Sequence, residues 1–307
     1  MYRGRFYAII VPMKKDRTNL AILAAVAVYT LWGFTFIASK TAQNFVSPFA
    51  LLAYRFDIAT LLLALPLVFG LRHISLKGKK IGHILLLGSL EPCLYFLGEQ
   101  FGIKYTNSAF SGVMIAIIPI VTLILASFLL GEHPSKAQWL FSFLSIAGII
   151  VITICENKGG DVTLRGFLFL TVAVLTGSLY TIVSRKISDE FGVYERTFIM
   201  QCMGAVFYTL LTLLECRGNL SGVIAPLADR GFILSILYLS VFGSVLGYTL
   251  FNYAVTNAPT AKVVILCNLT TVLSVLGGVF ILGESFSPVS AVAMIAVIIG
   301  IIGVQKN

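Results

Sequence analysis

The sequence is poor in charge. Only 11% of its 307 residues are Asp, Glu, Lys or Arg, against about 25% in soluble domains. A chain this apolar cannot cover a globule with polar groups in water, so lipid must form part of its solvent. Acidic residues are the scarcest, 13 against 22 Lys and Arg, which leaves a net charge of +9. The basic excess sits in short breaks between apolar runs rather than in a patch. That is a pattern of membrane topology, and no nucleic-acid partner is expected. Cysteines number five, Cys93, Cys155, Cys202, Cys216 and Cys267, with no C-x-x-C pair. They support neither a disulfide framework nor a zinc site and read as small buried hydrophobes. The three histidines, His73, His83 and His133, fall in or beside loops and read as interfacial residues, not metal ligands. The sequence holds no H-E-x-x-H, no G-x-S-x-G and no Gly-rich loop ending in Gly-Lys-Ser/Thr. It therefore offers no sign of an enzyme, a resident cofactor or ATP-driven pumping.

What is present is apolar length. Hydrophobic residues make up 58% of the chain, and mean hydropathy is +0.96. Ten runs approach the roughly 20 residues that a spanning helix needs: 20–39, 48–70, 82–103, 108–130, 137–154, 164–186, 197–215, 231–255, 260–282 and 288–304. The runs are continuously apolar rather than alternating, which argues for an α-helical bundle and against a β-barrel. Residues 1–19 form a basic tail holding Arg3, Arg5, Lys14, Lys15 and Arg17. A cleaved signal peptide is disfavoured, because the first run is long and no Ala-x-Ala-type site follows it. Met13-Lys14-Lys15 reads as a natural start, with residues 1–12 upstream of it. With the tail inside, one side collects Arg72, Lys77, Lys79 and Lys80 in one loop and Arg185, Lys186 and Arg196 in another. The other side has only the scattered Lys40, Lys104, Lys158, Arg165, Arg217 and Arg230. This bias predicts a bacterial plasma-membrane protein with both termini cytoplasmic.

The chain also repeats itself. Gly98–Glu132 consists of an apolar run, a polar turn at Lys104–Ser108, and a second run with Pro119 inside it that stops at Gly131-Glu132. The layout recurs over Gly247–Glu284, where Val-Thr-Asn at 255–257 answers Tyr-Thr-Asn at 105–107 and Gly283-Glu284 answers Gly131-Glu132. The predicted organisation is a first repeat over 20–154, a polar linker over 155–163 and a second repeat over 164–304. Five spans per half, an odd number, puts the halves in the membrane upside down relative to each other. Inverted repeats are the architecture of many secondary transporters, whose central site opens alternately to the two faces.

With this layout the chain resembles the drug/metabolite transporter superfamily in its EamA-type, ten-span branch. The resemblance rests on Trp32-Gly33 with Lys40, Arg55-Phe56, Tyr105-Thr106, Pro119, Gly131-Glu132 and Gly148 in the first half. In the second it rests on Gly177 with Arg185-Lys186, Gly283-Glu284 and Gly300. One departure stands out: Thr271 occupies the place of Pro119, so the second repeat lacks that helix-breaking residue. The resemblance implies movement of small metabolites by alternating access, export being favoured, without naming one substrate. A channel or a non-transporting scaffold is the alternative, and a membrane-embedded enzyme is a more distant one.

An ionisable side chain inside a span is costly and is read as functional by default. Arg55, Asp57, Glu91 and Glu99 qualify. Glu91, Tyr95 and Glu99 are spaced i, i+4, i+8 and are expected on one inward helical face. Arg55 falls about 10 Å and Glu99 about 6 Å below the outer surface, close enough to pair, either structurally or as a substrate contact or gate. Glu91 lies near mid-depth beside Pro92 and suits a substrate amine or proton coupling, the alternative being a neutral side chain bonded to a neighbouring helix. The acidic pair leans toward an amino acid or another amine-bearing compound. Trp32 is a candidate cavity wall or a lipid-facing aromatic. Asn268 and Asn252 are candidate site residues or polar links between helices. Pro119 is a hinge candidate. Gly131 and Gly283 read as left-handed helix caps, and Glu132 and Glu284 as carboxylates beside a helix N-terminus. A homodimer is left open.

Overall fold

The computed structural model describes residues 15–106, 108–155, 163–282 and 287–307. Helices account for nearly all of them, and no strand occurs among the described residues. They run as α1 (Lys15–Ala42), α2 (Pro48–Val68), α3 (Ile81–Gly88), α4 (Tyr95–Lys104), α5 (Ser108–Ala116), α6 (Ile118–Leu129), α7 (Lys136–Cys155) and α8 (Leu164–Lys186). Then follow α9 (Val193–Cys216), α10 (Ser221–Ile224), α11 (Arg230–Tyr238), α12 (Gly247–Asn257), α13 (Thr260–Val264), α14 (Cys267–Leu282) and α15 (Pro288–Lys306). Nine stretches among the described residues are long and apolar enough to cross a membrane. A shorter apolar helix over Thr260–Leu273 begins the remaining span, ninth in chain order. The chain is an all-α integral membrane protein of ten spans. Its surface fits that solvent: Phe128 and Phe280 are each 82% exposed and Leu214 is 73% exposed, a display unsuited to water.

Several span ends follow from local capping. Ser47 and Thr163 accept the backbone N–H groups of Ala50 and Gly166, contributing about 1 kcal/mol each at an N-cap. Span seven begins at Val193, earlier than the apolar run at 197, because Glu195 folds back to accept the Gly192 N–H at 2.9 Å, the half of a capping box that a glycine N-cap allows. Glu195 also accepts Lys79 Nζ at 2.6 Å and the Ser75 N–H at 3.1 Å, so it tethers part of the basic loop between spans two and three. Gly131 has φ +67° and closes α6 in the left-handed conformation. Glu132 accepts the Thr260 N–H at 2.9 Å and the Thr260 hydroxyl at 2.8 Å. The helix end it caps is α13 in the other half of the chain, not the α7 that follows it. Gly283, Glu284 and most of the 155–163 linker lie outside the described residues.

The packing obeys an internal two-fold rule. The pairs α2 with α9 and α7 with α15 join span two to seven and five to ten, so each maps onto itself when every span is advanced by five. The same shift turns the pair α4 with α8 into α12 with α1, and α6 with α8 into α14 with α1; all four pairs are present. The seam between α7 and α15 repeats the rule atom by atom. A Cβ on Gly148 would stand 2.7 Å from the Ala293 carbonyl and 2.7 Å from Val297, while one on Gly300 would stand 2.6 Å from the Phe141 carbonyl and 2.7 Å from Ser145. The alignment that matches Gly131 with Gly283 matches these residues pairwise.

Four spans are broken. Span three is interrupted by a wide π-type turn over Ser89–Leu94, in which Glu91 is extended (φ −146°, ψ 124°) and precedes a cis bond to Pro92. Span eight carries a wide turn at Leu239–Leu246, with no proline in it. Span four breaks at Ile117, with Pro119 in the first turn of α6. Span nine breaks at Ile265-Leu266. The Thr271 substitution therefore does not leave the second repeat straight: the break lies more than a turn before Thr271 and needs no proline.

Candidate functional site

The breaks in spans three and eight both border a cavity of about 440 Å³, through Glu91 and Leu239 respectively. It is lined by α1, α2, span three, the broken middle of span four, α8, span eight and the first turn of α14. One end is marked by Gln43 and Gln100, whose side-chain amides bond at 3.0 Å beside the ends of α1 and α4. The lining stops at Thr181 on α8 and Phe251 on α12. Beyond them lies the end of the bundle that holds Lys15 and Asn307, called here the termini end.

Of the residues singled out by the sequence, Trp32, Arg55, Glu91, Tyr95 and Glu99 line the cavity. The last three do so without forming one continuous helical face. Glu91 belongs to the wide turn and α4 starts only at Tyr95, so the extended backbone at Glu91 brings its carboxyl to the wall. Glu91 Oε1 accepts the Tyr248 hydroxyl at 2.5 Å, and Glu99 Oε1 accepts the Tyr95 hydroxyl at 2.9 Å. The turn is braced from α9, where the Tyr208 hydroxyl lies 2.8 Å from the Cys93 carbonyl and 3.1 Å from that of Pro92.

Arg55 is 6% exposed. Its Nε donates to Ser244 Oγ at 2.8 Å, and its guanidinium lies 4.8 Å from the centre of the Phe96 ring. The expected pair with Glu99 is not among the ion pairs of the described residues; span eight holds the guanidinium instead. Trp32 Nε1 donates to the Gly243 carbonyl at 2.9 Å, inside the wide turn of span eight. Around Trp32 stand Tyr29 and Tyr248 at 5.4 Å and Phe251 at 5.5 Å between ring centres. Tyr180 stacks on Phe251 at 5.6 Å and completes the aromatic floor. Carboxylates set in aromatic walls can hold a cation by charge and by ring-face attraction together.

Three singled-out residues lie elsewhere. Asn268 is 1% exposed and donates to Ser145 Oγ at 2.8 Å, linking α14 to α7. Asp57 points at α9, where the Thr209 hydroxyl reaches its two oxygens at 3.1 and 2.9 Å. Asn252 sits below the floor, its Oδ1 accepting the Tyr180 hydroxyl at 3.1 Å and Ser184 Oγ at 2.6 Å. Among the described residues no cluster of metal-ligating side chains occurs.

The structure also buries a cation that the sequence places in a loop. Arg196 is 0% exposed inside α9. Its Nη1 donates to the Ser184 carbonyl and hydroxyl at 2.6 and 2.7 Å, and its Nη2 to the Asn252 carbonyl at 3.2 Å and Thr256 Oγ1 at 2.5 Å. The signal in the sequence is Asn252 with Thr256, spaced i, i+4 on one face of span eight opposite Ser184.

The model of the EamA-like transporter family matches this chain twice, over residues 19–154 and 164–305. An uncharacterized transporter of Bacillus subtilis, YcxC, is 31% identical over 96% of both chains. A probable amino-acid metabolite efflux pump of Salmonella typhimurium is 21% identical over 90% of this chain and 92% of its own. A solved crystal structure superposes with a TM-score of 0.77 over 93% of this chain and 96% of its own, at 18% identity, which speaks to the fold alone. The family and these two named relatives are transporters, not enzymes.

Proposed function

The chain belongs to the EamA-like transporter family and is a membrane transporter, and from that premise we propose that it moves a small amine-bearing metabolite, with amino acids favoured, by alternating access. We assign it to the bacterial plasma membrane with both termini in the cytoplasm, and we assign export as its direction. The observation that carries the substrate class is the pair Glu91 and Glu99 on one cavity wall, beneath Trp32 and among Tyr95, Tyr180, Tyr248 and Phe251. The carboxylates suit an ammonium group and the rings suit its apolar flank. Arg55 on the same lining suits the carboxylate of a zwitterion. A cavity of about 440 Å³ matches a small metabolite. The Salmonella relative's description agrees with an amino-acid cargo. Glu91 is the residue we assign to proton coupling, because it lines the cavity and its carboxyl is held there by the Tyr248 hydroxyl.

The test is counterflow in proteoliposomes. Vesicles loaded with unlabelled amino acids or amines should accumulate the labelled compound saturably, and the same vesicles should show no unitary conductance. Ohmic currents without saturation would replace the transporter reading with a channel. Saturable counterflow confined to anions or sugars would overturn the amine assignment.

A further inference from the structure

Below the cavity floor, three spans meet at Arg196. Ser184 comes from α8, Arg196 and Thr197 from α9, and Asn252 and Thr256 from α12. Asn252 is the hub: besides accepting from Tyr180 and Ser184, its Nδ2 donates to Thr197 Oγ1 at 3.1 Å and its carbonyl accepts from Arg196 and Thr256. Arg185 adds a second tie between α8 and α12, with Nη1 at 2.7 Å from the Val255 carbonyl and 2.6 Å from that of Thr256.

From this we infer that the Arg196 cluster is the gate that closes the transport route at the termini end and comes apart each time the cavity opens to that side. The inference rests on the alternating-access reading above and adds where one of its two doors lies. Three observations carry it. First, the cluster touches the floor directly: the Tyr180 ring lines the cavity while its hydroxyl bonds Asn252, so a cargo that displaces the ring disturbs the hub. Second, among the described residues Arg196 donates to neutral carbonyls and hydroxyls. Water can replace such acceptors, whereas breaking a buried carboxylate pair would strand two charges. Third, the buried polar atoms here are incompletely satisfied. Among the described residues Arg196 Nε has no partner, nor has either amide atom of Gln201, which is 0% exposed. Gln201 lies one turn from Thr197 and on the way to Gly204 and Tyr208, which pack against Pro92 and the Glu91 turn. Polar groups buried without partners are costly unless another state supplies them. A hydrated route along this face of α9 would do so.

The moving part is α12, eleven residues between the wide turn at Leu239–Leu246 and Ala258. It carries Phe251 of the floor and Asn252, Val255 and Thr256 of the cluster, so one tilt opens both layers.

Cys267 provides the readout, because it lines the cavity. The full chain is prepared with Cys93, Cys155, Cys202 and Cys216 replaced by Ser, and vesicles of known orientation are treated from either side with a membrane-impermeant maleimide. With Arg196 present, Cys267 should react chiefly from the Gln43–Gln100 side. Arg196→Ala should raise its labelling rate from the termini side about tenfold and lower it from the other. Thr256→Val, which removes one ligand of the guanidinium, should do the same more weakly and serves if Arg196→Ala does not fold. Labelling from the termini side that is unchanged in a folded variant overturns the gate. The labelling needs no cargo, so the two readings fail separately. Counterflow that is absent while the variants shift labelling removes the substrate assignment and keeps the gate. Counterflow that is present while labelling stays fixed does the reverse.

Discussion

Span three and span eight break at corresponding places by different means. In span three the break contains Pro92 and an extended Glu91, and it delivers a carboxyl to the cavity. In span eight the break has no proline and delivers backbone and hydroxyl acceptors: the Gly243 carbonyl takes Trp32 and Ser244 Oγ takes Arg55. Both captured side chains come from the first half. The first half thus supplies the charged groups of the cavity, and the second supplies seats that fix Trp32 and Arg55, together with the rings of Tyr180, Tyr248 and Phe251. Duplication has kept the break and divided the labour.

The division can be tested at each level. The largest effect is expected at Glu91: Glu91→Gln should reduce pH-driven uptake to background in proteoliposomes while the protein stays folded and monodisperse. Full uptake by this variant would remove the first half's special role. Ser244→Ala comes next. It takes away the Nε partner of Arg55, and a hydrogen bond to a charged group is worth about 1.5–3 kcal/mol. The half-saturation concentration for a zwitterionic cargo should rise about tenfold, with little change for a simple amine. Equal loss for both cargos would mean that Arg55 shapes the cavity rather than meeting a carboxylate. A third comparison sets Gly148→Ala against Gly300→Ala. Each forces a methyl against a facing carbonyl, and overpacking costs about 1–3 kcal/mol. Both should lower the unfolding midpoint in detergent by similar amounts, and a clear inequality would break the two-fold description of that seam. The smallest effect is expected for Pro119→Ala. Span nine breaks without proline, so span four should keep its bend and the transport rate should change by no more than about twofold. A large loss would make Pro119 a hinge that its counterpart has no need of.

The ten spans were readable because a lipid-crossing helix requires a long apolar run, and those runs leave few alternatives for the chain. The ends were less readable where a polar first turn extends the helix, as at Val193, whose cap depends on Glu195 folding back to Gly192. The cavity residues were legible as charges out of place: Arg55, Glu91 and Glu99 are expensive in a span, and all three line the cavity. What they bond to was not legible, since Ser244 and Tyr248 lie far from them in sequence. Asn268 shows the limit from the other side. A mid-depth asparagine reads the same whether it faces a cavity or, as here, Ser145 of another span. Arg196 was hidden because it immediately precedes an apolar run, where basic residues ordinarily sit at the lipid surface. Only Ser184, Asn252 and Thr256, brought together by the fold, reveal that it is enclosed.

The seam between α7 and α15 bears on ancestry. Its two sides are one surface met by its own inverted image, with Gly148 against Ala293 and Val297 and Gly300 against Phe141 and Ser145. An isologous contact of this kind needs no second surface to be invented. It would join two separate five-span chains inserted in opposite directions as readily as it joins the two halves of one. Tandem fusion of such a chain would then have preserved an existing antiparallel pairing, leaving each copy free to diverge where it faces the cavity.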